Sequence, residues 1–236
     1  HLQYVFRIFV LIINEIHVGF LAQCRRNISF SDSILWTDEA TFTPNGVFNS
    51  RNFLQWQEEN PHAIRQGAFQ YRWTINVWAG VIGDRVIGPY FLPPRLNGQV
   101  YAAFLENQLP LLLEDVPLDV RGKLIYQHDG APAHYSRQVR NILDARFPKR
   151  WIGRGGPITW PARSPDLNVL DYFVWGCIKT AIEHWREGTE QEVREAIVAA
   201  FDTITPDMAY RATRNISRRA EICVQEGGRH FEQFLH

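Results

Sequence analysis

Three aspartates stand in places that ordinary surface acids avoid: Asp38, Asp129 and Asp171. Asp38 belongs to Ser33-Ile-Leu-Trp-Thr-Asp-Glu39, where strand alternation puts it on the face of Ile34 and Trp36, with Leu35, Thr37 and Glu39 opposite. Asp129 closes the apolar run Leu124-Ile-Tyr-Gln-His-Asp129, directly ahead of the breaker Gly130-Ala-Pro132. Asp171 falls four residues after Leu167, three before Val174 and seven before Ile178, inside the apolar stripe of a helix predicted from Asp166 to about residue 185. Each acid taken singly has a bland reading: a strand-end aspartate that caps turn amides, or a buried one paired with an arginine such as Arg163. Taken together they suggest one shared site. Carboxylates crowded into apolar surroundings repel one another unless cations neutralise them. The usual cation for an all-oxygen site is Mg2+ or Mn2+. Two such ions clamp the attacking and leaving oxygens of an in-line phosphodiester displacement. The expectation is therefore a site in which Asp38, Asp129 and Asp171 are both catalytic and metal-binding, with two Mg2+ (or Mn2+) as cofactors.

The neighbouring polar residues rank behind these. Glu39 should point away from Asp38 and serve behind the site or in structure. Asp166 precedes a helix and reads as a cap, with a reserve role as third acid. His128 and His134 flank the turn after Asp129, and each reads first as a packing or capping residue, with phosphate contact as the alternative. Basic residues gather at Arg137, Arg140, Arg146, Lys149, Arg150 and Arg154, and Arg211, Arg214 and Arg218 form a helical stripe. Such stripes are often only solvated faces, but beside a metal site they are what a phosphate backbone requires. The expected nucleic-acid contacts are His134, Arg137, Arg140, Arg163, Arg211, Arg214 and Arg218.

The elements that must hold these residues follow from periodicity. Residues 33–42 read as a strand, with Pro44-Asn-Gly46 offering a hairpin to residues 47–50, and 51–72 as polar and irregular. Residues 73–82 and 86–92 form the strongest hairpin, turning at Gly83-Asp84-Arg85 and stopped by Pro93-Pro94. Residues 98–114 carry a helical stripe that Pro110 should kink or split. A strand over 124–129 leads to a helix over 134–147. Trp151-Ile152 and a Gly/Pro-rich loop follow, with a short strand at Ile158–Trp160. Helices over 189–203 and 206–226 come after the Asp166 helix, whose cap candidates are Ser164 and Asp166. A hairpin half followed by strand–helix alternation predicts a mixed α/β layer fold. Neither a dinucleotide-binding glycine fingerprint nor a phosphate-loop lysine motif is present.

Composition sets the bounds. The 236 residues suffice for one substantial core, and formal net charge is zero, which excludes a generally polycationic surface. Cys24, Cys177 and Cys223 have no metal-ligand spacing and suggest a reducing, intracellular setting. The apolar run over 4–13 is interrupted by Arg7 and turns polar at Asn14, too short to span a bilayer, so no membrane association is expected.

Trp36-Thr-Asp-Glu-Ala-Thr-Phe42, His128-Asp-Gly-Ala-Pro-Ala-His134 and Ser164-Pro-Asp-Leu-Asn-Val-Leu-Asp-Tyr172 together resemble the catalytic domain of mariner-like DNA transposases of insect type. Asn76-Val-Trp-Ala-Gly80 and Gly228-Arg-His-Phe-Glu232 extend the resemblance over about residues 31–236. It implies a ribonuclease H-like mixed sheet flanked by helices. Carried over by motif, Asp38 and Asp129 are the first and second acids, and the third is Asp171, five residues after the aspartate of Ser164-Pro-Asp-Leu. Residues 130–170 separate the last two, a gap longer than many mariner elements have, with 153–163 as the extra length. The implied activity is metal-dependent cleavage and strand transfer of transposon ends, with end and target DNA as partners, pairing of two copies, no small-molecule cofactor and a nuclear location. Residues 1–30 are expected to be a remnant or linker helix with no recognition domain, and nothing before Ser31 resembles the family's helix-turn-helix region. Two alternatives remain: a degenerate element-derived module that only binds nucleic acid or protein, and a ribonuclease of the same fold.

Overall fold

The computed structural model describes residues 19–27, 29–44, 73–158, 165–185, 188–227, 231, 233 and 235. The proposed partner strand 47–50, the irregular 51–72 stretch, Arg163 and Ser164 lie outside them. A helix, α1, covers 19–26, and its Leu21 is buried against Ala220, Ile222 and Cys223.

One sheet organises the chain. Its strands are β1 (Ile34–Phe42), β2 (Ile75–Ile82), β3 (Arg85–Leu92), β4 (Ile125–Gln127) and β5 (Trp151–Ile152), in the order β3-β2-β1-β4-β5. The first three form an antiparallel meander, and β4 and β5 add parallel strands on the other side of β1. The antiparallel partner of β1 is thus β2. The β2–β3 turn is the predicted one: Gly83 takes the first loop position with φ +58°, a left-handed conformation that glycine adopts without steric cost.

Helices cover both faces. On one lie α2 (Gly98–Asn107), α3 (Leu109–Leu112) and α5 (Arg137–Arg146), with the short α4 (Leu118–Lys123) leading into β4. Their core contains Leu35, Trp78, Tyr101, Leu105, Tyr126, Val139, Leu143 and Trp151. The break between α2 and α3 falls just ahead of Pro110, which cannot donate to the preceding turn. On the other face lie α6 (Trp175–Ala181), α7 (Glu190–Asp202) and α8 (Pro206–Gln225) over Ile34, Trp36, Phe42, Ile75 and Val77. Alternation along β1 therefore holds, but both of its faces are buried.

Capping residues set the helix starts. Thr189 and Glu192 make a reciprocal capping box for α7, Thr205 caps α8, and Ser136 caps α5. That last cap moves the start of α5 to Arg137, because 131–136 is taken up by turns after Asp129. The helix predicted from Asp166 to residue 185 is broken into four pieces: a 3-10 turn at Pro165–Leu167, a π turn at Leu170–Val174, α6, and a 3-10 turn at Glu183–Trp185. No helix among the described residues is long and apolar enough to cross a membrane.

Candidate active site

The parallel pairing of β1 with β4 matches Trp36 to Gln127. Asp38 and Asp129 each come two residues later, so they leave adjacent strands at the same level and at the carboxyl end of β4. That is the side of an open α/β sheet where ligands bind. Neighbouring strands lie roughly 4.8 Å apart, which brings the two acidic positions beside one another.

Asp38 is held from the opposite layer. Trp175 Nε1 donates to Asp38 Oδ2 at 2.8 Å. Burial pushes the Asp38 carboxyl well above its ordinary value, and the negative charges of Asp171 and Glu39 push it the same way, with the Trp175 bond opposing.

Asp171 differs from expectation. It is exposed, not buried in the apolar stripe, although Leu167, Leu170, Val174 and Ile178 are buried as predicted. The π turn is the reason: bonding five residues apart winds an extra residue into the turn and rotates Asp171 out of the stripe that α-helical spacing would give it. Its carboxyl is pushed up to about 6, by desolvation and by the charge of Asp129, against Lys179. Because the side chain is open to water, desolvation is tempered there, and the repulsion from Asp129 carries the greater meaning. Asp38 feels Asp171 and Asp171 feels Asp129, so acids from three separate segments form one electrostatic unit.

Asp129 is the acid whose ionised form is favoured. Its Oδ1 accepts from the Ala131 amide at 2.9 Å and from His134 Nδ1 at 2.6 Å. Burial works against its charge, but the His134 bond and charge and the Ala131 amide outweigh it and hold the carboxyl below its ordinary value. His134 Nε2 lies 3.2 Å from Glu39 Oε2. Burial alone would favour a neutral imidazole, yet Glu39 and Asp129 raise His134 to about 10. His134, expected at the DNA surface, is only 2% exposed and sits between two carboxylates. Glu39 does face away from Asp38, toward His134, which gives it a charge-pairing role behind the site. His128 is buried too: its ring stacks on His134 at 4.8 Å, and burial and the His134 charge keep its pKa well below the usual imidazole range. A Cβ at Gly153 would come within 2.4 Å of the His128 ring, so this residue must be glycine for the loop after β5 to pack there.

Sequence reasoning missed the residues that lock the three segments together. Thr37, beside Asp38, donates its amide N–H to Gln127 Oε1 at 3.2 Å and its Oγ1–H to the Gln127 carbonyl at 2.6 Å. Asn168 donates its amide to the Thr37 carbonyl at 3.0 Å and accepts from the Leu170 amide at 3.0 Å. Asn168 thus ties the start of the Asp171 turn to β1 through its side chain, while the Asp166 carbonyl accepts from Arg219 Nε. Their signal was present: Gln127 and Asn168 are amides set inside apolar runs, and both are buried.

Among the described residues, no three acidic, histidine or cysteine side chains stand close enough to hold an ion as they are placed. The donor chemistry nevertheless fits a hard divalent cation: all oxygen, mutually repelling, and most strongly perturbed at half-buried Asp38. Gathering them around an ion requires side-chain rotation at Asp171, which is exposed.

The basic residues divide into two groups. Tyr135, two turns of chain beyond Asp129, carries Arg140 at 4.7 Å and Arg154 at 4.3 Å from its ring centroid. Arg137 is exposed on the same α5. On α8, Arg211 pairs with Asp207 at 2.9 Å, Arg214 lies 3.5 Å from Asp32 ahead of β1, and Arg218 is exposed. Thr213 bonds the Gly83 carbonyl in the β2–β3 turn, and the Ala212 carbonyl accepts from the Tyr172 hydroxyl, so this stretch of α8 runs from that turn to the segment that carries Asp171.

No protein-family model matches the chain. It is 22% identical over 188 residues to the transposable element Tc3 transposase of Caenorhabditis elegans, covering 79% of this chain and 54% of that protein. It is 26% identical over 110 residues to the mariner Mos1 transposase of Drosophila mauritiana, covering 47% of this chain and 30% of that protein. The chain thus spans about half or less of the length of these relatives. The crystal structure of the Mos1 catalytic domain aligns with a TM-score of 0.73 at 21% identity, covering 94% of this chain and 95% of that one. Structures of that domain with Mn and with Mg align at 0.72 and 0.71, with 21% and 22% identity, each over 93% of this chain and 94% and 95% of theirs. A Mos1 paired-end complex with the left transposon end aligns at 0.71 and 23% identity, over 93% of this chain and 62% of that one. The fold is therefore that of the Mos1 catalytic domain, a ribonuclease H-like mixed sheet flanked by helices.

Proposed function

We propose that this chain is the catalytic part of a mariner-like DNA transposase, cutting phosphodiester bonds at transposon ends and joining the freed ends to target DNA. The observation that carries the reading is the electrostatic coupling of Asp38, Asp129 and Asp171 at one end of the β1–β4 pair, in a fold that aligns with the Mos1 catalytic domain.

Asp38, Asp129 and Asp171 would hold two divalent cations; that the Mos1 catalytic domain was solved with Mn and with Mg supports Mg2+ or Mn2+ as the kind of ion. Bound there, such ions supply charge neutralisation and in-line alignment of the attacking and leaving oxygens. The chain's own residues do the rest by positioning. The His134 bond to Oδ1 favours the ionised form of Asp129 and holds its carboxylate in place. Trp175 fixes Asp38, and Asn168 fixes the turn that carries Asp171. Arg137, Arg140 and Arg154 are placed to meet the phosphate backbone on the Asp129 side. The paired-end complex of Mos1 supports pairing of two copies of this chain on DNA, and the nucleus is the proposed location because transposon DNA is the proposed substrate.

The test is Mn2+-dependent nicking of supercoiled plasmid by the chain, and its loss in Asp129→Ala. Nicking without metal, or nicking that survives the substitution, overturns the assignment. A folded chain that binds no Mn2+ supports a non-catalytic binding module instead, and preference for an RNA–DNA hybrid supports a ribonuclease.

A further inference from the structure

The two oxygens of Asp129 are not equivalent. Oδ1 takes both the Ala131 amide and His134 Nδ1, at 2.9 and 2.6 Å. The side chain is 51% exposed, so nothing in its packing would stop it turning. His134, by contrast, is locked: it is 2% exposed, its ring lies 4.2 Å from Tyr101 and 4.8 Å from His128, and Glu39 Oε2 stands 3.2 Å from its far nitrogen. Glu39 sits on β1 directly after Asp38, so the strand that supplies the first acid also anchors the histidine that holds the second.

We propose that His134, anchored by Glu39, is a positioning residue that fixes Asp129 with Oδ1 turned inward and Oδ2 presented to a divalent cation. This rests on the metal-dependent reading of the site given above. A buried ring backed by a strand carboxylate is a rigid support, and such outer partners commonly set the affinity of a metal ligand they never share with the metal.

The two ends of the imidazole can be tested apart. An asparagine places its amide nitrogen where Nδ1 lies, and a glutamine places its amide nitrogen where Nε2 lies. His134→Asn therefore keeps the bond to Asp129 and loses Glu39, whereas His134→Gln does the reverse. With the full chain, calorimetric titration with Mn2+ should show affinity lowered about 10–100-fold in His134→Gln and kept within about threefold in His134→Asn. Crystal structures of both variants without metal should show Asp129 in its parent orientation for asparagine and rotated for glutamine. Equal losses in both variants that track their melting temperatures, or an unmoved Asp129 in His134→Gln, would overturn the proposal. If the parent chain binds no Mn2+, the metal reading fails, and the orientation of Asp129 in the two variants still decides whether His134 positions it.

Discussion

Trp175 Nε1 donates to Asp38 Oδ2 at 2.8 Å, tying the helix that follows Asp171 to the strand that carries the first acid. The Trp175 ring is also packed edge-on against Phe42 and Phe201, at 6.3 and 6.1 Å. Trp175→Phe keeps most of that packing and removes the donor. A buried acceptor left without its partner costs about 1–3 kcal/mol. For a chain of this size each kcal/mol lowers the melting temperature by about 2–4 °C. The variant should melt several degrees lower, and an NMR titration should find the Asp38 carboxyl higher than in the parent; an unchanged titration would remove Trp175 from the site.

Asp171 is a source of strain in the metal-free chain. Its folded pKa of about 6 stands above the ordinary 3.8, so folding favours the protonated form, and ionising it as pH rises from about 4 to 6 reduces stability. Asp171→Asn should therefore melt higher than the parent at pH 7 and equally at pH 4. Exposure and screening limit the gain to about 1 kcal/mol or less. Nicking should be lost in the same variant. A lower melting temperature at pH 7 would contradict the repulsion inferred between Asp171 and Asp129.

His134 gives the opposite pH sign. Its folded pKa of about 10 lies above the ordinary 6.5, so its charged pairing with Glu39 and Asp129 contributes fully below about pH 6.5 and is lost as pH rises through 10. The melting temperature of Glu39→Gln should fall furthest below the parent near pH 6, with the gap closing toward pH 10. Thermal scans without metal across that window check it; a gap that widens with pH would refute the charge assignment.

Asn168 joins two of the acid-bearing segments. Asn168→Ala removes its donor to the Thr37 carbonyl and its acceptor for the Leu170 amide, both in a buried setting. Leaving those groups unpaired should cost about 1–3 kcal/mol for each. Asn168→Asp sets a carboxylate oxygen against the Thr37 carbonyl in a buried position, so at pH 7 its melting temperature should fall at or below that of the alanine variant.

The two basic groups should behave differently on DNA. Arg137→Ala and Arg140→Ala should each weaken duplex binding regardless of sequence and reduce the slope of log affinity against log salt by about 1. Arg211→Ala should leave the slope unchanged, because its guanidinium is already paired with Asp207. Fluorescence anisotropy at several salt concentrations separates the outcomes.

Much of this site was legible from residue order because its signals are local. A strand alternates, so Asp38 and Glu39 had to face opposite ways, and Gly130-Ala-Pro132 had to end the run before it. The Gly83 turn and the break ahead of Pro110 are set by backbone chemistry within a few residues. The helical stripe around Asp171 misled for a physical reason: periodicity assumes α winding, and the π turn at Leu170–Val174 is held by long-range ties such as Asn168 to Thr37, which no local window contains.

By itself, then, the sequence singled out three aspartates that close or interrupt apolar segments, because side-chain type and short-range periodicity suffice for that. Only the tertiary structure decided how they are held. Parallel pairing of β1 with β4 sets Asp38 level with Asp129, and folding across about a hundred residues puts His134 between Glu39 and Asp129 and Trp175 onto Asp38. Those contacts join residues far apart in the chain, so burial and charge in the folded core, rather than any local preference, assign each acid its state.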